Sequence, residues 1–219
     1  MPDKTEVRII RSARRKHVAF RIGADGVVEI IAPENVPELF LHQILSTRPE
    51  IIEKLQKNFS NRKQLDFSEG ANFLLLGKPY PLHLTHRLRL FDHAFMIPNG
   101  SDQEKKSSMI TLYRELAKEI IIRKVTFFQS LLHVAAKKIN INAANTRWGS
   151  CSGKKTLSFS WKLIQCPESL VDYVIVHELC HLNVMNHSPA FWKEVATILP
   201  DYKIRRAELN AFARNLPCW

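Results

Sequence analysis

The chain of 219 residues has no C-x-x-C pair, no apolar leader, no P-loop and no uninterrupted apolar run of membrane-spanning length. Each absence removes a class of protein. Without paired spacing, and in a chain lacking a secretion signal, Cys151, Cys166, Cys180 and Cys218 read as reduced thiols. The charged start MPDKTEVRII lacks the hydrophobic region of a signal peptide, so a soluble, cytoplasmic protein with no membrane partner is expected. The missing P-loop weighs against an ordinary NTPase. Zinc-finger spacing and an aromatic RNA-binding signature are missing too, and there is no internal repeat or low-complexity tract.

What is present begins with charge. Thirty-two basic residues against 21 acidic ones leave a formal net charge of +11, spread along the chain with a cluster at Arg11, Arg14, Arg15, Lys16 and Arg21. Such a field favours polyanionic partners, nucleic acid or nucleotides, and a merely solvated basic surface accounts for it equally well. With 45% hydrophobic residues, the composition is that of an ordinary globular protein with a sizeable core.

The chemistry concentrates in Val176-His177-Glu178-Leu179-Cys180-His181, an H-E-x-x-H pattern. On an α-helix, residues four apart lie on nearly the same face, so His177 and His181 can direct two imidazoles at one ion. Glu178 projects from an adjacent direction, where it can reach a metal-bound water. The surrounding LVDYVIVHELCHL is apolar on almost every side, which predicts a buried helix. An ionised glutamate there is costly unless its charge is compensated, and no Lys or Arg lies three or four residues away along the helix. A metal supplies the missing cation. Cys180, on a flank of the ligand face, reads as a small buried hydrophobe.

The third ligand is a separate inference. His187 follows His177 by ten residues, with Asn183 and Asn186 as turn formers between them. Ser188-Pro189 reads as the cap and first residue of a further helix carrying Phe191, Trp192, Val195 and Ile198. The spacing equals that of H-E-x-x-H-x-x-G-x-x-H proteases, but Val184 stands where those have glycine. Glu194 and Glu208 are the rivals, and His187 is favoured because catalytic zinc sites commonly use three protein ligands with an open fourth position.

Along the chain, residues 6–32 read as strands with a hairpin turn at Ala24-Asp25-Gly26. One amphipathic helix is predicted over 36–57, with Leu39, Ile44, Ile51 and Leu55 among its apolar positions. Short strands follow over 71–97, then a polar linker PNGSDQEKKSS at 98–108. A long helix is expected over 109–138, built on Met109, Tyr113, Leu116, Ile120, Phe127, Leu131 and Val134 and packing behind the metal helix, with His133 as a structural residue. Thr146-Arg147-Trp148-Gly149-Ser150-Cys151 and TLSFSWKL read as a hairpin, whose Gly149 strand could lie along the cleft as an edge that pairs with an extended peptide. Arg147, Trp148 and Gly149 are therefore candidate substrate-binding residues, an ordinary core hairpin with Trp148 as packing being the equal alternative, and Tyr202 and Arg206 are candidates for stabilising an oxyanion, with surface roles as the competing reading. The expected fold class is α+β, a β-rich N-terminal region over 1–104 followed by a helical, zincin-like metallohydrolase domain with a β-hairpin over 105–219.

At TRWGSC, VDYVIVHELCHL and NHSPAFW the chain resembles the YgjP-like family of prokaryotic metallopeptidase-type proteins, itself similar to the SprT/WLM zinc proteases. The resemblance is strongest over 143–206 and reaches more weakly to SARRKHVAFRI, DGVVEIIAP and LLGKPYPL. It implies Zn2+ at His177, His181 and His187, with Glu178 as catalytic acid/base. The expected function is a zinc-dependent hydrolase, foremost a metallopeptidase acting on a protein or peptide. The alternatives are a metal-dependent nucleoside triphosphate pyrophosphatase with a nucleotide substrate, and a noncatalytic nucleic-acid-binding module with a structural metal.

Overall fold

A computed structural model describes residues 7–23, 26–60, 65–217 and 219. The chain divides into two compact units, one formed by residues through 64 with 216–218, the other by 65–215 with Trp219. The division expected between 104 and 105 falls inside the second unit. Among the described residues no helix is long and apolar enough to cross a membrane.

The first unit holds strands β1 (Val7–Arg11), β2 (Ala19–Ile22) and β3 (Val28–Ala32) and helices α1 (Glu38–Thr47) and α2 (Pro49–Ser60). β3 is the centre of a three-stranded sheet, parallel to β1 and antiparallel to β2. The predicted β2–β3 pairing is present, although Ala24 and Asp25 of its turn lie outside the described residues. Register places Arg8 and Arg21 opposite Glu29, and both guanidiniums pair with its buried carboxylate, at 3.4 and 2.6 Å. Cross-strand pairing thus compensates a charge that would otherwise be expensive to bury. On the other face, Ile30, Ala32, Leu41 and Leu45 form a small core.

Two helices replace the single one expected over 36–57. Pro49 disfavours helical geometry at Arg48, whose φ of −134° and ψ of 63° end α1. The buried positions of α1 are Leu41 and Leu45, whereas Leu39 is exposed.

The second unit carries a four-stranded sheet, β4 (Asn72–Leu75), β5 (Lys78–Thr85), β6 (Arg89–Phe91) and β7 (Ala94–Pro98), in the order β4-β5-β7-β6. Helix α3 runs over Asp102–Leu132. It starts within the stretch expected to be a linker, because Ser101 and Glu104 form a reciprocal capping box that satisfies the first free amides. It ends at His133, whose left-handed φ of 53° caps the helix, so that residue is structural as expected. The buried face of α3 includes Met109, Tyr113, Ile120, Val125 and Phe128, while the expected core residues Phe127 and Leu131 are exposed.

A second three-stranded sheet follows, β8 (Lys138–Asn142), β9 (Gly149–Cys151) and β10 (Thr156–Ser160), in the order β8-β10-β9. The predicted hairpin is β9–β10, and β9 is an edge strand. A short 3₁₀ segment, Trp161–Gln165, leads into helices α4 (Glu168–Cys180), α5 (Pro189–Ile198) and α6 (Tyr202–Ala213). The architecture is α+β, and α4 is the buried helix that the sequence predicts.

Two contacts anchor α4. At its start, the β4–β5 turn donates Leu76 N–H to Ile164 and Gly77 N–H to Gln165. A Cβ at Gly77 would lie 2.8 Å from Pro167 Cα, and its φ is +78°, so both space and backbone require glycine there. Along its side, Lys124 of α3 donates to Asp172 at 2.7 Å and pairs with Glu168 at 2.6 Å. These contacts set the helix that bears the chemistry, with α3 packed against it as expected.

Candidate metal centre

The last turn of α4 and its C-terminal cap residue bring His177, Glu178 and His181 together, with Glu178 7% and His181 8% exposed. The chain then reverses through hydrogen-bonded turns, Leu182 N–H to Leu179 and Val184 N–H to Cys180. None of its residues adopts a positive φ, so Val184 serves where related spacings use glycine. Asn186 accepts from Ser188 N–H at 3.2 Å, an Asx turn that shapes the loop carrying His187. Ser188 precedes α5 with Pro189 in its first turn, as the sequence predicts.

One ligand-capable atom from each of His177, His181 and His187 lies within 4.8 Å of the others. The Nε2 atoms of His177 and His187 are 3.1 Å apart. Two imidazole nitrogens at about 2.0 Å from one tetrahedral ion are separated by about 3.3 Å, so the pair suits a shared cation. His181 Nδ1 lies 3.0 Å from Val184 O. With the proton on Nδ1 donated to that carbonyl, Nε2 is left with a free lone pair, the tautomer a metal requires.

Electrostatics points the same way. Burial, then the charges of His181, His187 and Arg206, push His177 down to about 3. His187 is lowered as well, by burial first and then by His181 and Arg206. Both are therefore neutral near pH 7, and metal binding needs no proton removed from them. His177 Nδ1 is buried without a hydrogen-bond partner among the described residues. Neutral imidazoles converging on one point form a donor set that fits zinc.

Phe191 holds the three rings in place. Fully buried on α5, it stacks on His181 with ring centres 4.4 Å apart and meets His177 and His187 edge-on at 4.9 Å each. Nothing in the sequence distinguishes this residue from an ordinary core aromatic. Glu194, a rival ligand, instead accepts from Asn183 at 2.6 Å, and Glu208 is exposed on α6. Neither belongs to the cluster.

Glu178 faces the β9 edge. Burial raises its carboxyl to about 7, against the opposing charge of Arg147 and a hydrogen bond from Cys151 N–H. Gly149 lies directly over the side chain: a Cβ there would come 2.6 Å from Glu178 Cγ and 2.8 Å from Oε1. The need for glycine here is spatial, not conformational. Arg147 is exposed and Trp148 half-buried against the core.

An open cleft of about 420 Å³ is lined by Tyr173, His177, His187, Trp192 and Arg206. Trp192 lies 5.7 Å from His177 and 5.6 Å from His187, centre to centre. Tyr202 stacks on Trp192 at 5.1 Å with planes 13° apart, and the Arg206 guanidinium carbon is 5.4 Å from the same ring. Arg206 thus reaches the cleft wall, whereas Tyr202 supports Trp192 and does not line the cleft. Tyr173 and Trp192 are the lining residues that sequence reasoning missed. A helical register places Tyr173 one turn before His177, which was a usable signal; Trp192 had none.

No curated protein matches the chain. Among solved structures it is similar to the metallopeptidase zymogen of Pyrococcus abyssi abylysin, at 19% identity and a TM-score of 0.41 over 45% of this chain and 99% of that one. It is similar also to the metallopeptidase zymogen of Methanocaldococcus jannaschii jannalysin, at 26% identity and a TM-score of 0.38 over 42% of this chain and 93% of that one. The model of the YgjP-like metallopeptidase domain matches residues 16–212, nearly the whole chain, and the protein belongs to that family.

Proposed function

We propose that the protein is a zinc-dependent peptidase in which His177, His181 and His187 hold the metal and Glu178 moves the proton. The observation that carries this reading is the convergence of three histidines beside a buried glutamate. Zinc, when bound, supplies a Lewis acid and lowers the pKa of a water to about 7. Glu178, adjacent in the chain to the first of these histidines, takes up the proton and later releases it. The Cys151 amide orients that carboxylate from the side, and Gly149 leaves it room. The β9 edge, antiparallel to β10 on one side, is where an extended peptide would be received.

A second reading, cleavage of a nucleoside triphosphate, draws on the Arg206 guanidinium over Trp192 at the cleft. Elemental analysis of native protein comes first, with one zinc per chain expected and weaker retention in His187→Ala. Glu178→Gln should then keep the zinc and lower peptide cleavage about 10²–10⁴-fold. Normal hydrolysis by that variant sinks the assignment of Glu178, and release of pyrophosphate from nucleotide without peptide cleavage selects the second reading.

A further inference from the structure

Two consecutive arginines on α6 have different surroundings. Arg205 is spoken for: its Nε reaches both Asp201 oxygens at 2.9 and 3.0 Å, and its Nη1 donates to Ser169 O. Arg206 pairs with no carboxylate among the described residues, although it is the neighbour that lines the cleft. Its guanidinium carbon lies over Trp192, 5.4 Å from the ring centre, and Tyr202 stacks on the same ring. A guanidinium held by an aromatic ring spends none of its N–H donors on that contact, and those donors match a carboxylate in two-pronged fashion.

We infer that Arg206 is a specificity residue that receives a substrate carboxylate, directing the peptidase to bonds close to an anionic group. The inference rests on the peptidase reading above. Distances set its reach: with Arg206 5.4 Å from the Trp192 ring and that ring 5.6 Å from His187, the guanidinium lies within about 11 Å of the histidine rings. An extended residue spans about 3.3 Å, so a separation of that order corresponds to a carboxylate about three residues, a few at most, from the carbonyl being cleaved. A peptide's own C-terminal carboxylate and an acidic side chain both satisfy this chemistry. A triphosphate fits less well, since it carries several negative charges and Arg206 is the one permanent cation among the cleft-lining residues.

Binding tests this apart from turnover. The zinc-loaded full chain carrying Glu178→Gln is titrated calorimetrically with three short peptides of one sequence: free C-terminal acid, C-terminal amide, and the amide with a glutamate beside the central bond. Each titration is repeated with Arg206→Met and Arg206→Lys added. The expected result is at least 10-fold tighter binding of an acid-bearing peptide than of the plain amide, lost in Arg206→Met and partly restored in Arg206→Lys. The peptide that shows the gap identifies the carboxylate as terminal or side-chain. In the catalytically competent chain, Arg206→Met should raise KM for that peptide with kcat little changed.

Equal binding of acid and amide peptides overturns the inference, as does an acid preference that survives Arg206→Met. Arg206-dependent binding of a nucleoside triphosphate with no discrimination among the peptides assigns the cation to phosphate instead. If no peptide is cleaved by the competent chain while the acid preference still depends on Arg206, the peptidase reading fails and the carboxylate site stands.

Discussion

At the residue scale, the site is governed by steric fit as much as by ligand identity. Gly149 illustrates this, because the space a Cβ would need is already filled by Glu178. In Gly149→Ala the glutamate must swing away from the Cys151 amide, and misplacement of about 1 Å at a reacting group costs on the order of 10²-fold in rate. The expected outcome is therefore a fall of about that size in kcat/KM with zinc content unchanged, measured by steady-state assay and elemental analysis. Wild-type activity in the variant would show that Glu178 is not held where Gly149 meets it.

Elements matter through how α4 is fixed to its surroundings. Lys124 bridges α3 to Glu168 and Asp172 in the first half of α4. Burial lowers the Lys124 ammonium, but its hydrogen bonds to Asp172 and Glu168 outweigh that, leaving it raised. Glu168 is lowered, chiefly by its hydrogen bond to Lys124. A depressed carboxylate stabilises the fold above its unfolded pKa of about 4.3, and that contribution disappears as pH falls through its folded value. The raised lysine contributes below about 10.4 and loses its contribution as pH climbs through the folded value. Lys124→Met should accordingly lower Tm by about 2–4 °C at pH 7. The gap from wild type should narrow as pH falls towards 3, followed by differential scanning calorimetry. A gap independent of pH would assign the loss to packing of the lysine stem.

For the whole molecule, the division into two units separates metal chemistry from the rest of the chain. The histidines, Phe191 and α4 belong to the unit of residues 65–215, whereas β3, α1 and their small core belong to the other. A ligand that binds only the folded form stabilises it by about 2.7 kcal/mol at a hundredfold excess over its Kd. If the histidine cluster holds the proposed zinc, chelation should therefore speed amide hydrogen exchange in α4 and α5 and leave β1–β3 at their former protection, read by mass spectrometry. Equal loosening of both units would place the metal's influence outside the histidine cluster.

Periodicity and punctuation made much of this protein legible from its residues. The apolar surround of H-E-x-x-H required a buried α4, the alternation of Leu157 and Phe159 required a strand with a covered face, and Ser188-Pro189 marked the start of α5. Local signals were also present where the expectation failed: Pro49 splits the 36–57 helix, and Ser101 with Glu104 starts α3 inside the presumed linker. The sequence by itself determined the candidate ligand types and their helical spacing, because a helix repeats every 3.6 residues whatever surrounds it. Only the tertiary structure decided that Gly149 meets Glu178, that Phe191 braces three histidines, and that Arg206 and not Arg205 opens onto the cleft. Those contacts join residues from separate elements, and no local periodicity encodes how one element packs on another.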